Sequence, residues 1–136
     1  MQLHKIVDAY QAVDQMRWME YYNGSQVVRS ERELPFDYAV GLVELGGKLK
    51  SHYEYFIAEE KKLMMKYAKK DENGNPVING QEVKFSTAEE KTEFDAERTS
   101  LGETDVAIDG LPMRMNKPAS VRCSWLEALD GFIDFV

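Results

Sequence analysis

Five of the oxygen-bearing side chains in the stretch "DENGNPVINGQE", from Asp71 to Glu82, fall at the spacing of metal ligands. With Asp71 as the first ligand position, Asn73, Asn75 and Asn79 follow at alternate positions, Val77 offers a backbone carbonyl, and Glu82 stands where an EF-hand places its bidentate glutamate. The chemistry of such a spacing is the capture of a calcium ion by hard oxygen ligands. Three features oppose it. The sharp turn of the loop calls for glycine where this chain has Pro76, and Gly74 comes too early. Asn79-Gly80 interrupts the place where the exiting helix should begin. Only Asp71 and Glu82 bring charge, which makes a weak cage for a divalent cation. The same residues read as a β-hairpin. Asn73-Gly74 turns the chain, Val77-Ile78 and Val83-Lys84-Phe85 are short strands, and Asn79-Gly80 is a type I′ turn signal. The hairpin is the stronger reading, and no metal or other cofactor is expected.

Other reactive side chains do not converge. His4 and His52 fall on separate predicted helices, where a lone histidine is more often a surface or core residue than a ligand. Cys123 has no Cys-x-x-C partner and reads as a buried, inert thiol. No P-loop, G-x-G-x-x-G, H-E-x-x-H or G-x-S-x-G motif occurs. Adjacent carboxylates such as Glu59-Glu60 point to different sides of a helix and cannot share one substrate. No enzymatic activity and no catalytic residue are expected. The notable carboxylates form a row instead: Glu89, Glu90, Glu93, Asp95 and Glu97. This row reads either as a solvated helix face or as a face that binds a partner.

The elements that position these residues follow from periodicity. Leu3, Ile6, Val7, Tyr10, Val13, Trp18 and Tyr21 repeat at three to four and predict a first helix over 3–22, stopped by Asn23-Gly24. A polar connector follows, in which Val27-Val28 could add a short strand. Pro35 opens a long second helix to about Lys70, with proline suited to the first turn. Its first half is apolar on most sides and should be the centre of the fold. Gly46-Gly47 costs that helix about 1–2 kcal/mol against alanine, yet the pattern resumes in phase, which favours a continuous or bent helix over two separate ones. Ser86-Thr87-Ala88-Glu89 is a capping box that opens a third helix over 85–101, with Ser86 as the cap and a thin apolar face. Val106 and Ile108 alternate with Asp105 and Asp109 as a strand, closed by Gly110 and Pro112. Ser124 caps a last helix through Trp125, Leu129, Phe132 and Phe135 that docks into the core. The expected architecture is a mainly α (α+β) single domain over 1–136: a helical bundle around one long central helix, with a small β-hairpin and a short extra strand.

The composition is that of a globular chain, at 43% hydrophobic and 30% charged residues in 136. Its net charge of −7 disfavours direct binding of DNA or RNA. The charge is unevenly spread. From Lys48 to Lys70 seven lysines stand against three glutamates, and from Glu82 to Asp109 nine acids stand against three bases. Two helices side by side with complementary faces would explain this, as would an acidic face that enters a basic site on a partner. Trp18, Tyr21, Tyr22, Tyr53, Tyr55 and Tyr67 serve either the core or an interface. The early charges of "MQLHKIVDAYQ" argue against a secretory signal, no apolar run suits a membrane span, and the single cysteine fits a cytosolic compartment.

The layout resembles a family of small uncharacterised proteins of tailed bacteriophages and prophages. The resemblance rests on Leu34-Pro35 at the entry to the long helix, on "KYAKKDENGNPVINGQEV" from Lys66 to Val83, on "FDAERTSLGETDVAI" from Phe94 to Ile108, and on "WLEALDGFIDF" from Trp125 to Phe135. Gly46-Gly47 and the connector from Ser25 to Glu33 lie outside it. The resemblance implies a non-enzymatic phage accessory protein, in the cytoplasm of the bacterial host, that acts by occupying the surface of a host or phage protein. The most concrete form is an anti-CRISPR-like inhibitor of an antiviral, nucleic-acid-handling host complex. The row Glu89, Glu90, Glu93, Asp95 and Glu97 would then fill a basic channel. The alternative is a virion or head–tail assembly protein whose long helix packs on a structural protein or, as a homodimer, on a copy of itself.

Overall fold

The computed structural model describes all residues from Met1 to Val136. Ten elements follow in order: α1 (Leu3–Arg17), β1 (Trp18–Asn23), β2 (Gln26–Glu31), α2 (Phe36–Tyr67), β3 (Ile78–Asn79), β4 (Glu82–Val83), α3 (Ala88–Gly102), β5 (Met113–Met115), α4 (Cys123–Leu129) and β6 (Ile133–Phe135). The class is mainly α with small β elements. No helix is long and apolar enough to cross a membrane.

The core gathers on α1. Seven of its fifteen residues, Leu3, Ile6, Val7, Ala9, Ala12, Val13 and Met16, come from this helix, and four, Leu42, Leu45, Leu49 and Phe56, come from α2. The first helix rather than the first half of the second is therefore the most enclosed element. α1 and α2 run antiparallel: Val13 meets Gly46, and Tyr10 stacks on Tyr53 with ring centroids 4.2 Å apart. α2 passes through Gly46-Gly47 as one helix and ends at Tyr67, where Ala68 turns extended, three residues short of the expected Lys70.

The first helix is shorter than its periodicity suggested. It stops at Arg17, and Trp18 is already extended. Residues 18–23 pair with 26–31 as an antiparallel ribbon, Trp18 opposite Glu31 and Asn23 opposite Gln26. The run Trp-Met-Glu-Tyr-Tyr has strong strand preference, and Val27-Val28 supplies its partners. Gly24 takes a φ of 68° as the first of two turn residues, the pattern of a type II′ hairpin. The ribbon leans on α1 through Arg29, whose guanidinium donates to both Asp14 carboxylate oxygens at 2.9 and 3.0 Å and lies 4.9 Å from the Trp18 ring centre.

The hairpin expected after the long helix forms, with a shifted turn. Ile78 pairs with Val83 and Asn79 with Glu82, so the turn residues are Gly80-Gln81 and not Asn79-Gly80. Gly80 alone has positive φ, as Gly24 does in the first ribbon. The helix α3 is capped by Thr87, one residue later than expected: its hydroxyl accepts the Glu90 N–H at 3.1 Å.

The C-terminal third differs most. Residues 105–109 form no strand beyond a bridge between Gln2 and Asp105. The strand lies later, at Met113–Met115, and pairs in parallel with Ile133–Phe135, which was expected to be helical. α4 is short, begins at Cys123 with Arg122 at its cap position, and stops before Gly131, whose φ of 84° ends the helical run. Leu129 and Phe132 still reach the core as expected. Met115 lies against Gly41 so closely that a Cβ there would stand 2.7 Å from its Cε, which holds β5 against α2.

Candidate interaction surfaces

α3 packs antiparallel along the second half of α2, and charge is matched across the seam. Arg98 donates to Glu60 at 2.6 Å, and Lys66 donates to Glu97 at 3.3 Å. The complementary-face reading of the uneven charge is the one seen at these pairs. Only Phe94 and Gly102 of α3 are buried, so this helix covers the core without building it.

The five acids of the expected row do not share one fate. Glu97 turns toward α2, where it also accepts the Tyr67 hydroxyl at 2.9 Å. Tyr67 and Glu97 together hold the Lys66 ammonium above its ordinary pKa. Asp95 pairs with Lys91 one turn back, at 3.5 Å. Glu89, Glu90 and Glu93 have no cation within salt-bridge distance, with Glu89 and Glu93 exposed and Glu90 half-buried. The free acidic surface of α3 is therefore the first turn and a half.

The remaining candidates scatter. His4 is exposed and bonds Gln2 at 2.8 Å, while His52 is half-buried on α2. Cys123 is exposed, which corrects the expectation of a buried thiol: it opens α4 on its solvent side. In the 71–82 loop, Asp71 Oδ1 accepts the N–H groups of Asn73 and Asn75, an Asx-type turn, and Glu82 sits on β4 beside Lys84 at 3.5 Å. No three His, Cys, Asp or Glu side chains gather as a metal site.

Two surfaces stand out that the residue types did not announce. The first is the outer side of α2. Phe36, Val40, Val43 and Gly47, spaced at four, three and four, form one stripe opposite the buried Leu42, Leu45 and Leu49. Phe36 is 81% exposed, Val40 48% and Val43 56%, and nothing lies within 4 Å of where a Gly47 Cβ would be. Asp37 and Glu44 rim the stripe and exposed Glu33 precedes the helix, all three without a cation within salt-bridge distance. The second is the β1–β2 ribbon, with both edges unpaired and Tyr22 79% exposed. The sequence signal for the stripe is the all-round apolar first half of α2, a pattern that by itself predicts burial inside the chain.

Comparison with protein-family models, with curated proteins and with solved structures finds no match.

Proposed function

We propose that this chain acts by binding another protein, and not by catalysis, through the outer face of α2. The observation that carries this reading is the stripe of Phe36, Val40, Val43 and Gly47. A helix apolar on opposite sides is normally enclosed on both. Here the fold encloses only one, and a partner would enclose the other. The occupant that fits is an amphipathic helix of a different protein, with an apolar seam and lysine or arginine on its flanks. Glu33, Asp37 and Glu44 supply the complementary acids. A second copy fits less well, because in an antiparallel self-pairing the Asp37–Glu44 flank would face its own acids.

On the resemblance to phage proteins, that partner would be a host or phage protein in the cytoplasm of an infected bacterium. An assembly role is supported by the apolar stripe. The inhibitor role through α3 keeps a smaller basis, since only Glu89, Glu90 and Glu93 remain free of cations. One experiment separates them: capture of partners on the tagged chain from infected cells, with Phe36→Ser/Val43→Ser and Glu89→Lys/Glu93→Lys variants alongside. Loss of the captured protein with the first pair alone supports the α2 face. Loss with the second pair alone, together with release by salt, transfers the function to α3. Undiminished capture by both variants rejects both faces.

A further inference from the structure

An open cleft of about 1010 Å³ runs between α1, the base of the β1–β2 ribbon, the middle of α2 and the start of α4. Both tryptophans of the chain, Trp18 and Trp125, line it, together with Tyr53, Arg32 and Arg122. Trp125 is held in place: its indole N–H donates to Gln15 at 3.0 Å, and the Arg122 guanidinium lies 4.9 Å from its ring centre.

The cleft is lined by two carboxylates and two arginines that do not pair with one another. Its two carboxylates, Asp14 and Glu20, are both engaged by Arg29, at 2.9 and 3.7 Å. Arg32 and Arg122 have no carboxylate within 4 Å. The chain has 24 acidic residues and only six arginines, so two unmatched guanidiniums in one cleft are not the result of a shortage of acids. Both line the cleft that the two indoles line, and Arg122 lies on the Trp125 ring; guanidinium donors grip phosphate and flat rings stack.

We propose that this cleft binds a nucleoside phosphate, its base against the indoles of Trp18 and Trp125 and its phosphate on Arg32 and Arg122. The net charge of −7 weighs against a long nucleic-acid strand, which favours a mononucleotide. This site is independent of the α2 face.

The test uses the intact chain. Because the only two tryptophans line the cleft, their fluorescence reports its occupancy directly. Adenosine monophosphate should quench it saturably, and Arg32→Gln and Arg122→Gln should each weaken binding about tenfold or more. Both arginines are exposed, and an unchanged thermal transition verifies that the variants fold. Adenosine monophosphate binding more tightly than a ten-residue oligothymidylate upholds the mononucleotide. Tighter binding of the oligonucleotide, with a steep salt dependence, overturns it in favour of a strand. Equal binding of inorganic phosphate overturns the role of the rings. No saturable change with any of the three overturns the site.

Discussion

The Tyr67 hydroxyl donates to the Glu97 carboxylate across the α2–α3 seam at 2.9 Å, on the oxygen that Lys66 reaches at 3.3 Å. A residue counted among the free acids of α3 is thus a structural link between two helices. Replacement of Glu97 by alanine is expected to cost about 1 kcal/mol in urea unfolding, because the mostly buried Tyr67 loses its charged acceptor. Glu93→Ala, on the exposed side, should stay within about 0.5 kcal/mol of the parent. Equal effects would refute the difference between the two positions.

Alkaline pH should weaken the fold through two named groups. Burial, then the Asp14 charge, raises the Tyr10 hydroxyl above its ordinary 10.0, and Tyr67 and Glu97 raise Lys66 above 10.5. Both groups keep their protons longer in the folded chain. Their contributions are full below those ordinary values and are lost as pH rises through the folded ones. Tyr10→Phe keeps the ring against Tyr53 and removes the titration. Its urea midpoint should fall less steeply than the parent's from about pH 9 upward.

The start of α3 discriminates between two adjacent hydroxyls. Thr87→Ala should cost about 1 kcal/mol, the usual value of a lost N-cap. Ser86→Ala should cost almost nothing, since the Glu90 N–H goes to Thr87. The reverse order in chemical denaturation would place the cap where the sequence pattern first put it.

Gly47→Ala should stabilise the isolated chain by about 0.5–1 kcal/mol, because a helical alanine there meets no neighbour. The same methyl group would fall on the stripe that the proposed partner covers. Higher thermal stability combined with weaker partner capture is the expected pair of results. Lower stability would show that the outer face of α2 is already occupied.

Arg29 ties the ribbon to α1, so Arg29→Ala should speed amide exchange in 18–31 and leave α1 protected. Two-stranded ribbons are marginal in water without such support. Acceleration spread evenly over α1 would mean that the ribbon and helix open together.

Much of the fold was legible where one period dominated. The long α2 follows from spacing, and the hairpin after it from the Asn79-Gly80 signal, although the turn itself falls on Gly80-Gln81. The first ribbon was hidden because Trp18 and Tyr21 happen to continue the three-to-four spacing of α1, so helix and strand fitted the same letters. Asn23-Gly24 between Tyr-Tyr and Val-Val was the missed signal, of the kind recognised at Asn79-Gly80. At the C-terminus the apolar pattern from Trp125 to Phe135 was carried across Gly131, whose backbone conformation stops the helix. The candidate surface was less legible still. Which of Glu93 and Glu97 faces solvent depends on how α3 is rotated against α2, and that is set by Phe94 and the Tyr67 hydroxyl. The exposure of Phe36, Val40 and Val43 likewise depends on which sides of α2 the rest of the chain covers.

The stem of the first ribbon is closed by a 2.8 Å bond from the Arg32 N–H to the Arg17 carbonyl. The chain therefore leaves the helical body and returns to it at almost the same point. In engineering terms the ribbon is a cassette: a short turn could replace residues 19–30, or a foreign hairpin could be grafted there, with α1 and α2 keeping their alignment.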